Sequence, residues 1–236
     1  MKREIIITSD GSTTIHLPDW NEQYHSKHGA IQEAYHVFIK HGFESCAASE
    51  PSILEIGFGT GLNAFITFLE AQKKQTFVNY VGVEAYPVAM SEVQKLNYIS
   101  ELKAKSFADQ FVKMHETPWE VAVEISANFS LTKRKQFFHE IQDKNRFDLV
   151  YFDAFGARVQ PDLWTEEIFE IMFKAMKEGG ILVTYAAKGS VRRALQAVGF
   201  QVERLPGPPG KREMLRAAKY SKESNAESSE VFGVKI

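Results

Sequence analysis

The stretch Ile53-Leu-Glu-Ile-Gly-Phe-Gly-Thr-Gly-Leu-Asn63 constrains this chain more than any other. Ile53, Leu54 and Ile56 read as a short buried strand. Gly57, Gly59 and Gly61 then let the backbone turn sharply and approach a ligand closely, because glycine has no Cβ. Leu62, Phe65, Ile66 and Leu69 follow at helical spacing. Strand, glycine turn and helix together open a nucleotide-binding α/β unit. The spacing narrows the choice further. A dinucleotide fingerprint needs its third glycine three residues after the second, and Leu62 stands there. The glycines alternate instead, behind an acidic residue, as E-I-G-F-G-T-G.

The flanking sequence supplies the rest of such a fold. Ile5 to Thr8 and Thr13 to Leu17 predict a β-hairpin about Asp10-Gly11. Ile31 to Lys40 predicts a helix closed by Gly42, and residues 1–50 form an extension ahead of the main domain, 51–220. Phe77 to Glu84 predicts a second core strand, and Pro87 to about Tyr98 a helix. Phe107 to His115 and Trp119 to Ile125 look helical, and Phe129 to Phe138 looks extended. Phe147 to Phe152 is a strongly apolar strand ending in Asp153-Ala-Phe155. Thr165 is placed to cap a helix that Gly179-Gly180 ends, and Ile181 to Tyr185 is the next strand. Ser190 opens a helix closed by Gly199, and two strands follow, Phe200 to Leu205 and Glu213 to Ala218. Alternating strands and helices predict a Rossmann-like α/β sheet with helices on both faces. The last strand pair lacks a helix between its members and is expected to be antiparallel. The Ser- and Glu-rich segment 221–236 is expected to be a flexible tail.

Composition narrows the classes. Cys46 is the only cysteine, which excludes an internal disulfide and suits a cytoplasmic protein. No apolar run is long enough to suggest a membrane span, and the histidines are scattered rather than grouped as metal ligands. Net charge is −2, yet nine Lys or Arg against two Glu fall between Tyr185 and Lys222, so that segment carries +7. Such asymmetry points to a basic face for a phosphate backbone, or to ordinary solvated surface.

In open α/β sheets ligands bind beyond the carboxyl ends of the strands. Three such ends carry distinctive groups: Glu55 to Gly61, Glu84, and Asp153 to Phe155. Glu84 follows the glycine turn by the interval that suits a carboxylate on a ribose. Asp153 either positions a nucleophile and receives its proton or orients the following loop.

E-I-G-F-G-T-G resembles the first motif of class I S-adenosylmethionine (SAM) methyltransferases. A longer series is more specific: Asp153-Ala-Phe, Pro161-Asp-Leu-Trp-Thr165, Val191-Arg-Arg-Ala-Leu195, Gly199-Phe200 and Gly210-Lys-Arg-Glu-Met214. With Asp10-Gly11 and Tyr24-His-Ser26, it resembles the methyltransferase domain of the MnmC family of bacterial tRNA wobble-uridine enzymes, including its stand-alone MnmD form. The resemblance implies methyl transfer from SAM to the aminomethyl group of 5-aminomethyl-(2-thio)uridine, giving 5-methylaminomethyl-(2-thio)uridine. It implies Asp153 at the methyl group, and a cofactor site of Glu55, Gly57, Phe58, Gly59, Thr60, Gly61, Asn63, Glu84 and Ala154, with Tyr24 and Ser26 closing over it. Arg192, Arg193, Lys211 and Arg212 would meet tRNA phosphates. No metal or FAD is expected, and the FAD-dependent oxidase step of MnmC is expected to be missing. The family's usual Gly-Asp pair for adenine is replaced by Lys135-Gln136-Phe137, which leaves the adenine contact unassigned, with Gln136 as a candidate able to donate and accept hydrogen bonds. Two other readings remain: a spermidine-synthase-like aminopropyltransferase, and a non-catalytic SAM- and RNA-binding module. Asp153 followed by Ala-Phe, without a second acidic residue, weighs against the former.

Overall fold

A computed structural model describes residues 2–220; the tail expected at 221–236 lies outside the described residues. Strands β1 (Glu4–Ile7) and β2 (Thr13–Leu17) pair antiparallel as expected, with Gly11 at φ +87° in the turn. A short β3 (Glu22–Gln23) completes a three-stranded sheet. Helix α1 (Ala30–Ala34) runs on as a π-helical segment, Tyr35–Lys40. Gly42 is not the left-handed cap that the sequence suggested, since its φ is −107°. Glycine is needed there for close packing: a Cβ would lie 2.4 Å from the Phe38 carbonyl oxygen.

The main sheet begins with β4 (Ser52–Ile56), α2 (Leu62–Lys74) and β5 (Val78–Val83). The helix expected from Pro87 is instead two short ones, α3 (Met90–Val93) and α4 (Tyr98–Glu101). The break falls at Asn97, whose side chain accepts from the Thr13 N–H at 2.8 Å and donates to the Gly11 carbonyl at 2.8 Å. Tethering the hairpin takes precedence over helical continuity there. Helix α5 (Ala108–Glu116) follows, then β6 (Ala122–Ser126) and β7 (Phe129–Arg134). The segment expected to be helical from Trp119 is thus a turn leading into an edge strand that starts at Ala122. Its backbone groups pair antiparallel with β7, and such pairing outweighs weak local preference.

Strand β8 (Phe147–Phe152), helix α6 (Glu166–Ala175) and strand β9 (Met176–Thr184) come next. Thr165 occupies the N-cap position of α6, but its side chain makes no capping bond. Gly179 and Gly180 do not end the helix. They lie inside β9, where the β8–β9 register shifts and Gly179 takes φ +77°, a backbone shape that glycine favours. Helix α7 (Gly189–Val198) starts after Lys188 rather than after Ser190, and Gly199 closes it at φ +114°. Strands β10 (Gln201–Pro206) and β11 (Glu213–Ala218) form the expected antiparallel pair.

The eight-stranded sheet runs β10-β11-β9-β8-β4-β5-β7-β6. Strands β7, β5, β4, β8 and β9 are mutually parallel. Side chains alternate across the sheet, so each strand feeds two cores. Ile53, Tyr80, Leu149 and Tyr151 pack with Phe65 and Phe68 of α2 and with Val37 and Phe38. Leu54, Ile56, Val150 and Phe152 pack on the other side with Phe169 and Met172 of α6 and Leu195 of α7. Helices on both faces leave only the sheet ends open to a ligand. No helix among the described residues is long and apolar enough to cross a membrane.

Candidate active site

Strand order reverses at β4, with β5 on one side and β8 on the other. A crevice therefore opens above the carboxyl ends of these strands. The structure has a cavity of about 1020 Å³ at that place. Its floor includes Gly57, Phe58, Gly59 and Asn63, and its sides include Glu84, Asp153, Ala154 and Phe155. The N-terminal extension closes it with Trp20, Tyr24 and His25.

The glycine turn is built as the sequence requires. Gly57, Gly59 and Gly61 have φ of +90°, +51° and +72°. A Cβ on Gly57 would lie 2.8 Å from the Asp153 carbonyl oxygen, so this glycine lets the end of β8 close against the turn. A Cβ on Gly59 would lie 3.1 Å from the Tyr24 ring, which places Tyr24 directly over the turn. The Gly59 N–H donates to Glu84 Oε2 at 3.0 Å, and the Tyr86 N–H donates to Oε1 at 2.9 Å. Those two bonds aim the Glu84 carboxylate along the cavity wall and leave lone pairs free for hydroxyl donors.

Asp153 stands at the opposite wall. Its Oδ2 accepts from Asn63 Nδ2 at 2.8 Å. The same amide nitrogen donates to Glu55 Oε1 at 3.0 Å. Burial, reinforced by the charge of Glu33, raises the Asp153 pKa to about 7 against the opposing pulls of Asn63 and Lys211. Glu55 is 1% exposed and does not line the cavity. Burial and the Asp153 charge push its pKa well above the usual range, so it supports Asn63 as a neutral acid below the floor. Phe155 packs edge-on against Tyr24 at 5.0 Å and Trp20 at 5.7 Å.

A profile described as S-adenosyl-L-methionine-dependent methyltransferase matches residues 94–220, more than half of the chain. The chain belongs to that family.

The tRNA 5-methylaminomethyl-2-thiouridine biosynthesis bifunctional protein MnmC of Hydrogenovibrio crunogenus is 30% identical to this methyltransferase over 211 residues, covering 83% of this chain and 31% of the relative. The chain spans about a third of the length of the curated relatives it matches. Among solved structures, MNMC2 from Aquifex aeolicus superposes with a TM-score of 0.74 at 23% identity, covering 96% of this chain and 75% of that one. A spermidine synthase in complex with the transition-state analogue AdoDATO reaches a TM-score of 0.50 at 16% identity, covering 100% and 80% of the two chains. These last two likenesses speak to fold alone. The resemblance to MnmC-type methyltransferase domains holds across the chain.

The cavity of this methyltransferase fits SAM. The positive-φ glycines leave backbone room, and the Glu84 and Asp153 carboxyl groups line opposite walls, acceptors suited to a ligand that carries hydroxyl groups and a cation. Of the residues expected to bind the cofactor, Gly57, Phe58, Gly59, Asn63, Glu84, Tyr24 and Ala154 line the cavity. Glu55, Thr60, Gly61 and Ser26 do not. The Thr60 hydroxyl is buried against the Tyr98 hydroxyl at 3.0 Å, and a Cβ on Gly61 would meet His115 Nε2 at 2.9 Å. The Ser26 hydroxyl accepts from the His28 N–H at 3.1 Å. These residues hold the floor and the lid from behind. Gln136 is also outside the lining, whereas its neighbours Phe137, Phe138 and His139 are within it.

The four basic residues expected at tRNA are not equivalent. Arg193 and Arg212 are exposed, and Arg192 is half-buried. Lys211 instead turns inward, pairing with Glu33 and lying 3.8 Å from the Tyr185 ring centroid. Sequence reasoning missed Trp20, His25, Glu33 and Tyr185. Trp20, Glu33 and Tyr185 lie outside every motif and reach the site through chain folding alone, whereas His25 stands within Tyr24-His-Ser26, where nothing local marks it as a cavity residue.

Proposed function

We propose that this protein transfers a methyl group from SAM to the aminomethyl group of 5-aminomethyl-(2-thio)uridine at the tRNA wobble position. The product is 5-methylaminomethyl-(2-thio)uridine. The named substrate comes from the MnmC relatives, whose names specify the 5-methylaminomethyl-2-thiouridine product. The observation that carries the chemistry is Asp153, at the cavity wall beside the glycine turn, with its pKa raised to about 7.

When bound, SAM supplies an electrophilic methyl group whose sulfur leaves as a neutral thioether. Gly57, Gly59 and Glu84 would hold it, with Tyr24 over the turn. The residues around Asp153 serve the amine. An aliphatic amine arrives protonated, with an ordinary pKa near ~10. Its ammonium pairs with Asp153, and the aromatic wall of Trp20, Tyr24 and Phe155 excludes water and favours the neutral amine. A carboxylate with a pKa near 7 accepts that proton more readily than an ordinary aspartate. Proton transfer to Asp153 Oδ1 or Oδ2 then frees the nitrogen lone pair for attack. The Asn63 amide holds Oδ2 in place throughout.

On this reading residues 1–50 form the cavity lid and residues 51–220 the transferase domain. Arg192, Arg193 and Arg212 provide the outer surface for RNA phosphates. The test is transfer of labelled methyl to tRNA carrying the aminomethyl nucleoside, followed by mass spectrometry of the nucleosides. Methylaminomethyluridine in the parent, and its loss in Asp153→Asn with SAM binding retained, supports the proposal. Transfer of an aminopropyl group from decarboxylated SAM to a free polyamine, without RNA methylation, would replace it. SAM and tRNA binding without turnover would leave only a binding module.

A further inference from the structure

Glu33 and Lys211 form an ion pair behind the cavity wall, and neither lines the cavity. Glu33 is 6% exposed, on α1, and its Oε1 accepts from the Ser26 N–H at 3.0 Å. Lys211 comes from the connection between β10 and β11, far along the chain, and its ammonium sits over the Tyr185 ring at 3.8 Å. The Tyr185 hydroxyl in turn donates to the Ala154 carbonyl at 2.8 Å. The N-terminal extension, the last hairpin and the turn after β8 are thus tied together at one place. Glu33 is buried and Lys211 half-buried, and an ion pair withdrawn from water in this way seldom stabilises a fold more than apolar residues of equal volume, so packing alone is a weak reason for this one.

We propose that Glu33 and Lys211 are positioning residues for Asp153. The pair braces Tyr185 and, through it, the Ala154 carbonyl, which fixes the Asp153 turn. Its two opposed charges also tune the Asp153 carboxylate from outside the cavity. The groups facing Asp153 come from every element around it. Glu33 on α1 and Lys211 act in opposite senses, Glu33 raising its pKa and Lys211 lowering it. Asn63 on α2 donates a hydrogen bond, and Glu55 on β4 is held neutral by burial. The Tyr80 and Tyr185 hydroxyls are pushed far above their ordinary range and stay neutral. Glu33 and Lys211 are therefore the charges through which the surrounding fold acts on Asp153.

The inference rests on the methyl-transfer reading for its purpose, but its main test does not need turnover. Protein labelled with ¹³Cγ-aspartate gives the Asp153 titration directly, assigned by the resonance lost in Asp153→Asn. The parent midpoint is expected near 7. Glu33→Gln should lower it by roughly one unit and Lys211→Met should raise it by roughly one unit. Lys211→Arg keeps the charge and should leave it unmoved. The neutral pair Glu33→Gln/Lys211→Met leaves no unpaired buried charge and so folds even where a single variant does not. Its midpoint should fall between the parent and Glu33→Gln, because Glu33 has the larger effect. The pH–rate limb for methyl transfer should move with the midpoint in each variant. An unchanged Asp153 midpoint in the folded charge-removing variants would overturn the inference. A parent that shifts as expected but methylates no tRNA would instead defeat the proposed substrate and leave the positioning role standing.

Discussion

The side-chain amide of Asn63 donates to Asp153 at 2.8 Å across 90 residues of chain. The same nitrogen donates to Glu55 at 3.0 Å. One amide therefore couples the helix after the glycine turn to the carboxylate at the end of β8. Asn63→Leu should remove both bonds, leave Glu55 without this donor and raise the Asp153 pKa further. Stability should fall by about 1–3 kcal/mol, the usual cost of a buried polar group left unpaired. Chemical denaturation measures the loss of stability, and an upward move of the pH–rate limb measures the change in pKa.

Methyl transfer should depend on deprotonated Asp153. Rates should therefore rise with pH through about 7 and level off above it. A limb near 4 would mean that Asp153 is not the proton acceptor.

The same shift has a consequence for stability. The folded state holds the Asp153 proton up to about 7, whereas an unfolded aspartate releases it near 3.8. Between those values the folded state binds more protons, so stability falls as pH rises across that window. Asp153→Asn removes the penalty. Its melting temperature should exceed the parent's by a few degrees at about pH 8 and match it near pH 4. Calorimetry at the two pH values checks the sign.

Gly82 lies under the Phe58 ring, where a Cβ would come within 2.4 Å of Cδ2. Gly82→Ala should push Phe58 into the cavity. Overpacking of this kind costs about 1–3 kcal/mol. SAM affinity, measured by calorimetric titration, should fall with it. A variant that binds SAM as the parent does would show that Phe58 does not border the cofactor.

Replacing Arg192, Arg193 and Arg212 by alanine should weaken tRNA binding and flatten its salt dependence, by roughly 0.7–0.9 in log–log slope for each phosphate that is no longer neutralised. Lys211→Met should leave that slope unchanged, because Lys211 faces Glu33. Filter binding across a salt series distinguishes the two.

The sequence by itself determined the parts of this protein that depend on local chemistry. The E-I-G-F-G-T-G turn needs positive φ at its glycines, and only glycine adopts that freely, so Gly57, Gly59 and Gly61 could be placed without a structure. Apolar β4, β5 and β8 followed from continuous hydrophobic runs, and Glu84 and Asp153 from their positions at strand ends. Tertiary structure decided what local preference could not. Ala122 to Ser126 became strand because β7 offered hydrogen bonds, and the helix after Pro87 broke because Asn97 was needed by the hairpin. It also turned Lys211 inward and brought Glu33 and Tyr185 behind Asp153. Charge, burial and proton affinity at that site are sums over groups distant in sequence, and only the packed chain fixes their separations.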